Sequence, residues 1–415
     1  MNNSIKIDLI GFFLFLSIIF SYIISEDTLG GAKHDFLIYE KIIFLFSNDL
    51  IGTLKNYATY EFARNSPIFF ILLSLLKKVG LGIEIIRYIN IVSVFLIIYF
   101  FYDCLKIKYH YINSSILKIF ALVLFLSPTV RSLAVWPYPI IYALILFLIS
   151  IKYYLLFLKE KKNRLKNAFQ NVFFIAAASY LTPNFSVFAI FFTFQFFKTF
   201  NFNKNFFYVI ILNVILAIPA FIFYYNNDFY ILSISVASSI DIPTRFSPFN
   251  KIIVITSILF FYFIPFLEKG FFKRFINELK MFNKNYLTLI FIFISIISFN
   301  FPNGFGGGII YHLSNKLFSN NLILFIFFFI AIYSLKAMKI INLNNVLIFI
   351  CLIVYNLQAS IYHKYFDPLL LFIFLFLLNF KKGAFKLNIR EITKKYYCLY
   401  IFFLAASFYK VIFLN

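Results

Sequence analysis

Carboxylates are scarce in this chain of 415 residues: Asp and Glu together number 16, against 38 Lys and Arg. Charged residues of both signs make up only 13%, roughly half of what a soluble domain carries, so no part of the chain reads as a soluble domain. Cysteine is rarer still. Cys104, Cys351 and Cys398 sit in or beside apolar runs with no paired spacing, which speaks against a disulfide framework or a thiolate metal centre. Phosphate-binding P-loop, HExxH, paired CxxC and GxSxG patterns are all missing, so nucleotide-driven and metal-centred chemistry have no support. Acids and bases are not scattered through mid-span positions, as proton-coupled transport needs; Asp103 and Lys152 lie toward span ends, where they can snorkel.

What the chain has instead is apolar length. Hydrophobic residues make up 62%, and the mean hydropathy is +0.89. The runs are continuous rather than alternating, so they read as helices and not as barrel strands. The fold class is an all-α polytopic integral membrane protein, one transmembrane domain over 1–415. Thirteen spans are expected, at about 8–24, 85–105, 116–130, 140–158, 168–182, 184–197, 206–224, 252–267, 286–301, 322–335, 346–358, 368–380 and 397–414. With the N-terminus inside, 23 basic residues fall in inner segments and 11 in outer ones, as insertion requires. The net charge of +22 is therefore assigned to topology, and no nucleic-acid partner is expected.

The outer face gathers five loops: 25–84, 131–139, 226–251, 302–321 and 359–367. The first holds Glu26, Asp27, Asp35, Glu40, Asp49, Glu61 and Glu84, seven of the 16 carboxylates, so chemistry is sought there first. Within it, 35–46 and 67–76 are apolar but too short to cross, and read as interfacial helices. His34, His312, His363 and the single Trp136 also lie on this face, with a flexible turn at Gly304 to Gly308.

Two readings stand for Asp35, which follows Gly30-Gly31 and opens an apolar helix: a helix cap, or a general base taking a proton from an acceptor hydroxyl. Glu26-Asp27 reads as an interfacial acidic pair or as the alternative acid. His363 and Lys364, among Tyr362, Tyr365 and Phe366, read either as aromatic-belt residues or as cations holding a lipid phosphate. Arg64 and Arg131 are further cations on this face.

A first span, an acidic outer loop, the run Asn65-Ser66-Pro67-Ile68-Phe69-Phe70, then Gly80 and Arg87 before the second span resemble the polyprenyl-phosphate-dependent glycosyltransferases of the GT-C fold. Relatives in that group are the protein O-mannosyltransferases and the lipid A aminoarabinose transferases. The likeness covers about 8–110 and is topological beyond it. It implies a catalytic Asp at Asp35, with Tyr39 on the same helix. Asp35 is followed by Phe36 where the family has a second acid, so Asp27 shares the expectation. His363 to Pro368 is similar in shape to a late Arg-Tyr-x-x-Pro element.

The resemblance implies an enzyme of the bacterial inner membrane that moves a sugar from a polyprenyl-phosphate donor to a glycan, lipid or protein acceptor of the cell envelope, with its active site on the outer face. Asp35 or Asp27 would be catalytic, with Glu26, Tyr39, Arg64, Arg131, His363 and Lys364 binding substrate. Asp35 would face His363 and Lys364 across one cavity. No cofactor is expected, and the requirement for a divalent metal is left open. The alternatives are an oligosaccharide polymerase or ligase, and a lipid-linked glycan flippase or transporter.

Overall fold

A computed structural model of the chain describes residues 3–27, 31–60, 66–226, 247–268, 270–281, 286–301, 306–356, 360–380 and 388–413. All regular structure among them is helical. The chain packs as two compact units, Met1–Val236 with Ile389–Asn415, and Ala237–Asn388.

The first unit opens with α1 (Asn3–Ile23). The following loop holds α2 (Ala32–Asn48), the short α3 (Leu50–Lys55) and α4 (Pro67–Lys78), enclosing both expected interfacial segments. Local chemistry sets these boundaries. Gly31 takes φ +89 ahead of α2, a conformation cheap only for glycine, and Ser66 caps α4 with Pro67 at its first position. Phe36, Tyr39, Ile43 and Phe46 of α2 are buried, while Leu37 and Phe44 stand exposed on the other side. That double-faced apolar pattern suits a helix lying at a bilayer surface.

Next come α5 (Ile83–Lys108), α6 (Ser114–Leu122) and α7 (Pro128–Val135). The expected span at 116–130 is bent by 59° between Ser114–Leu126 and Pro128–Val135. Ser127 Oγ accepts from Val130 N at 3.1 Å, and Pro128 opens the new helix, so the chain restarts in another direction. The stretch 131–139, expected as an outer loop, is largely helix α7 with its exit, and is buried throughout. The unit continues with α8 (Pro139–Lys159), α9 (Arg164–Leu181), α10 (Val187–Phe200) and α11 (Lys204–Asn226). A helix break falls at Pro183–Ser186, where the sequence placed it.

The second unit contains α12 (Pro248–Phe263), α13 (Phe271–Lys280), α14 (Tyr286–Ile297), α15 (Gly308–Phe318), α16 (Leu322–Ala337), α17 (Leu343–Val354) and the four-residue α18 (Leu369–Phe372), which runs on as a π-turn over Ile373–Leu377. Leu369 to Leu378, expected within a span, are all buried and pack inside their unit. The expected outer loop 302–321 contains α15. The final helix, α19 (Ile389–Phe413), returns to the first unit, where Tyr397 Oη donates to Ile119 O at 2.9 Å.

Among the described residues, five helices are long and apolar enough to cross a membrane: Ile5–Ile23, Ile83–Lys108, Pro139–Lys159, Lys204–Tyr225 and Pro248–Phe266; the bent pair would make a sixth. Tyr286–Ile297, Leu322–Ala337 and Leu343–Val354 are apolar but shorter. Ile211, Val214, Ile215, Ile218 and Phe221 of α11 are exposed, a stripe that water would penalise and lipid would not. Length and exposure together are those of a membrane-embedded helical protein.

Candidate functional site

In the first unit the end of α1, the start of α2, the start of α5 and the end of α7 meet around two arginines. Arg131 of α7 is fully buried, and its Nη2 lies 3.3 Å from Glu26 Oε2, with both side chains 1% exposed. The rest of the guanidinium is held by α1 and the turn before α7. Nη1 donates to Ser17 Oγ at 2.7 Å and to Phe125 O at 3.3 Å, and Nη2 to Ser17 O at 2.9 Å and to Ser21 Oγ. Trp136 Nε1 donates to Glu26 O at 2.9 Å. A charge pair enclosed this way is destabilising to break from one side, so it fixes where the chain leaves α1. Arg131 and Glu26, expected as substrate contacts on an open face, are enclosed by their own chain and by each other.

Asp27 follows directly. Its Oδ1 accepts from Ala32 N at 3.0 Å, one of the amides left without a helical partner at the start of α2. Asp27 therefore caps the helix, and Asp35, the residue the sequence read as cap or base, is a half-exposed acid on the first turn. Tyr39, one turn on, is buried with its ring 5.0 Å from Phe70 and 5.4 Å from Tyr138, a packing position. Arg64 lies outside the described residues.

Arg87, at the start of α5, is central here. Its guanidinium sits 4.2 Å from the Trp136 ring and 4.6 Å from the Tyr22 ring. Its Nε donates to Val135 O at 3.2 Å and its Nη1 to Glu84 at 3.2 Å. Asn90, one turn further, donates to Leu133 O at 2.7 Å and Ala134 O at 2.6 Å, tying α5 to the end of α7. Lys33 of α2 approaches the same indole at 5.8 Å. The sequence signal was an Arg with Glu three residues before it at the mouth of an apolar span, a costly pair in lipid unless partnered.

In the second unit His363 Nε2 hydrogen-bonds Tyr262 Oη of α12. Part of the residue reaches the surface, but burial of its ring lowers its pKa below the ordinary histidine value, while Asp367 acts in the opposite direction. The shift favours the uncharged imidazole, and Lys364 is the other cationic side chain at this turn. That lysine is itself 7% exposed, with Nζ 5.7 Å from the Tyr362 ring and 6.0 Å from the Tyr365 ring.

The turn is held in place from two sides. Gly307 N donates to Ile361 O at 2.9 Å, and Asn356 Nδ2 donates to Ser360 O at 2.7 Å. Lys251 Nζ donates to Asn356 O. Lys251 is 1% exposed in the first turn of α12 and was read from the sequence only as the end of a loop. The glycine turn is likewise no loose linker at Gly306, Gly307 and Gly308, although Gly304 falls outside the described residues. A small cavity of about 10 Å³ lies between Tyr262, His363, Ser257 and Gly307, space on the order of one water molecule.

Asp35 belongs to the first unit and His363 and Lys364 to the second, so their pairing stays an expectation. Among the described residues, no three His, Cys, Asp or Glu side chains converge as metal ligands. Comparison of the chain with family models, curated proteins and solved structures returned no match.

Proposed function

We propose that this protein is a membrane glycosyltransferase of GT-C type, with about thirteen membrane segments once short and bent helices are counted. It would move a sugar from a polyprenyl-phosphate donor to a cell-envelope acceptor at the outer face of a bacterial inner membrane. The observation that carries this reading is the start of α2: Asp27 caps the helix, the Glu26–Arg131 pair anchors the chain just before it, and Asp35 is left half-exposed on the first turn. A half-exposed carboxylate on the first turn of a helix whose start is held by Asp27 is placed for general-base work.

In this reading Asp35 takes the proton of the acceptor hydroxyl as its oxygen bonds to the anomeric carbon. The bond from that carbon to the phosphate oxygen breaks, and its electron pair leaves with the polyprenyl phosphate. Single displacement inverts the anomeric centre. Release of the phosphate calls for a cation to offset its charge; Lys364, with His363 beside it in the second unit, has the chemistry for that task. Arg131 and Glu26 take a positioning role, and Tyr39 packs the helix that carries the base. Sugar activation is stored in the donor, so no soluble nucleotide enters the scheme.

Binding of defined polyprenyl-phosphate sugars to the purified protein in lipid nanodiscs tests the substrate class. Saturable binding that requires both the phosphate and the sugar supports the reading. Equal binding of unglycosylated polyprenyl phosphate and of a lipid-linked oligosaccharide diphosphate would favour a flippase instead.

A further inference from the structure

The far end of the first unit carries a different arrangement. Phe157, near the end of α8, lies 4.7 Å from Phe196 and 5.5 Å from Phe200 at the end of α10. The Arg164 guanidinium at the start of α9 is 6.0 Å from the same Phe157 ring. Phe197 of α10 is 5.4 Å from Phe206 in the first turn of α11. These contacts bring four helix ends together, and with them Lys159, Lys161, Lys162, Arg164, Lys198 and Lys204. Glu160 is the acid in this sequence stretch, and it already accepts from Asn163 and Asn167 at 3.3 and 3.4 Å.

Beside this basic end a groove of about 480 Å³ runs between α10 and α11, walled by Ile190, Thr193, Phe194, Phe197, Phe206 and Asn213. The groove is shallow and open along the helix pair, and its lining is apolar apart from Thr193 and Asn213. Lys198 Nζ stands 4.4 Å from the Phe194 ring centroid, so one of the cations sits on the groove's own wall. Lys204 opens the helix that forms the other wall.

We propose that this groove binds one anionic phospholipid. An acyl chain lies against Phe194, Phe197 and Phe206, and the headgroup phosphate meets Lys198 and Lys204. Positive charge at a cytoplasmic helix end is ordinary and by itself needs no groove. An apolar slot opening onto that charge matches both halves of an anionic lipid, and a zwitterionic lipid matches only one. The site is separate from the proposed transfer site: α8 places Tyr138 and Lys159 about 30 Å apart, at 1.5 Å per residue. It would hold whatever the chemistry at the other end.

The full chain, purified in mild detergent, is mixed with equal amounts of phosphatidylglycerol and phosphatidylcholine of matched acyl chains, and the retained lipid is read by native mass spectrometry. Wild type is expected to prefer phosphatidylglycerol by about 30-fold, from two lysines near the headgroup. The K198Q/K204Q variant should retain lipid with that preference lost, and T193W, which fills the groove, should retain less of either. Equal retention of the two lipids by wild type, or an unchanged preference in K198Q/K204Q, overturns the proposal. If a variant does not fold, phosphatidylglycerol with a photoreactive acyl chain is applied to wild type. Labelling within 189–213 supports the site, and labelling spread evenly over the other apolar helices overturns it.

Discussion

At the scale of single residues, the strongest commitments in the first unit are Glu26 and Arg131. Each is desolvated, and each is tolerable only because the other is present. Replacing Arg131 with Met leaves a carboxylate enclosed without its partner, and the expected loss is about 3–5 kcal/mol of stability. The double variant E26Q/R131M should recover much of that loss, because no charge is then stranded. Thermal unfolding of the detergent-solubilised proteins checks both. Asp35→Asn is the contrasting case: a half-exposed side chain changed by one atom should shift stability by less than ~0.5 kcal/mol.

His363 gives a residue-scale prediction with a defined sign. Burial lowers its folded pKa, with Tyr262 Oη on Nε2 and Asp367 opposing the shift. The unfolded chain therefore binds a proton more readily than the folded one. Stability from this group is fully present above the unfolded value near 6.5 and declines as pH falls through and below it. Urea titrations from pH 8 to pH 5 should show wild type losing more stability than His363→Gln. Equal slopes would mean the imidazole is not held neutral by its surroundings.

At the scale of elements, the turn before α15 illustrates how a short segment is fixed from outside. Gly306 has φ +87, and a β-carbon there would run into the Ile361 carbonyl oxygen. Gly306→Ala should cost roughly 1–3 kcal/mol from backbone strain and contact together, and should loosen the segment that carries His363 and Lys364. Hydrogen exchange over 360–367 measures this, and unchanged protection in the variant would contradict it.

The helices of the first loop were legible because their signals are local: a Gly before α2, Ser66-Pro67 before α4, and apolar runs too short to cross. The bend at Ser127-Pro128 was present in the sequence as a cap and a proline, yet Arg131 and Trp136 read as loop residues. Their partners, Ser17, Ser21 and Glu26, lie more than a hundred positions away, and no local pattern encodes them. The same limit explains α18. Hydropathy reports that Leu369 to Leu378 avoid water, and it does not distinguish lipid from protein interior. Among the site residues, the acids of the first loop could be picked out from scarcity alone. That Asp27 holds the start of α2 while Asp35 stands half-exposed on its first turn needed the geometry.

At the scale of the whole molecule, scarce charge, long exposed apolar helix faces and the buried Glu26–Arg131 pair fit one environment, a bilayer that penalises unpartnered charge and tolerates apolar surface. The sugar transfer proposed above places its acid at the start of α2. The most direct measurement is transfer from a polyprenyl-phosphate sugar by the purified protein in liposomes, for wild type, Asp35→Asn and Asp27→Asn. The account predicts at least a ~100-fold loss of rate for Asp35→Asn with its melting temperature unchanged. For Asp27→Asn it predicts a weakened helix start worth about 1 kcal/mol and a smaller loss of rate. Full transfer by both variants would contradict it.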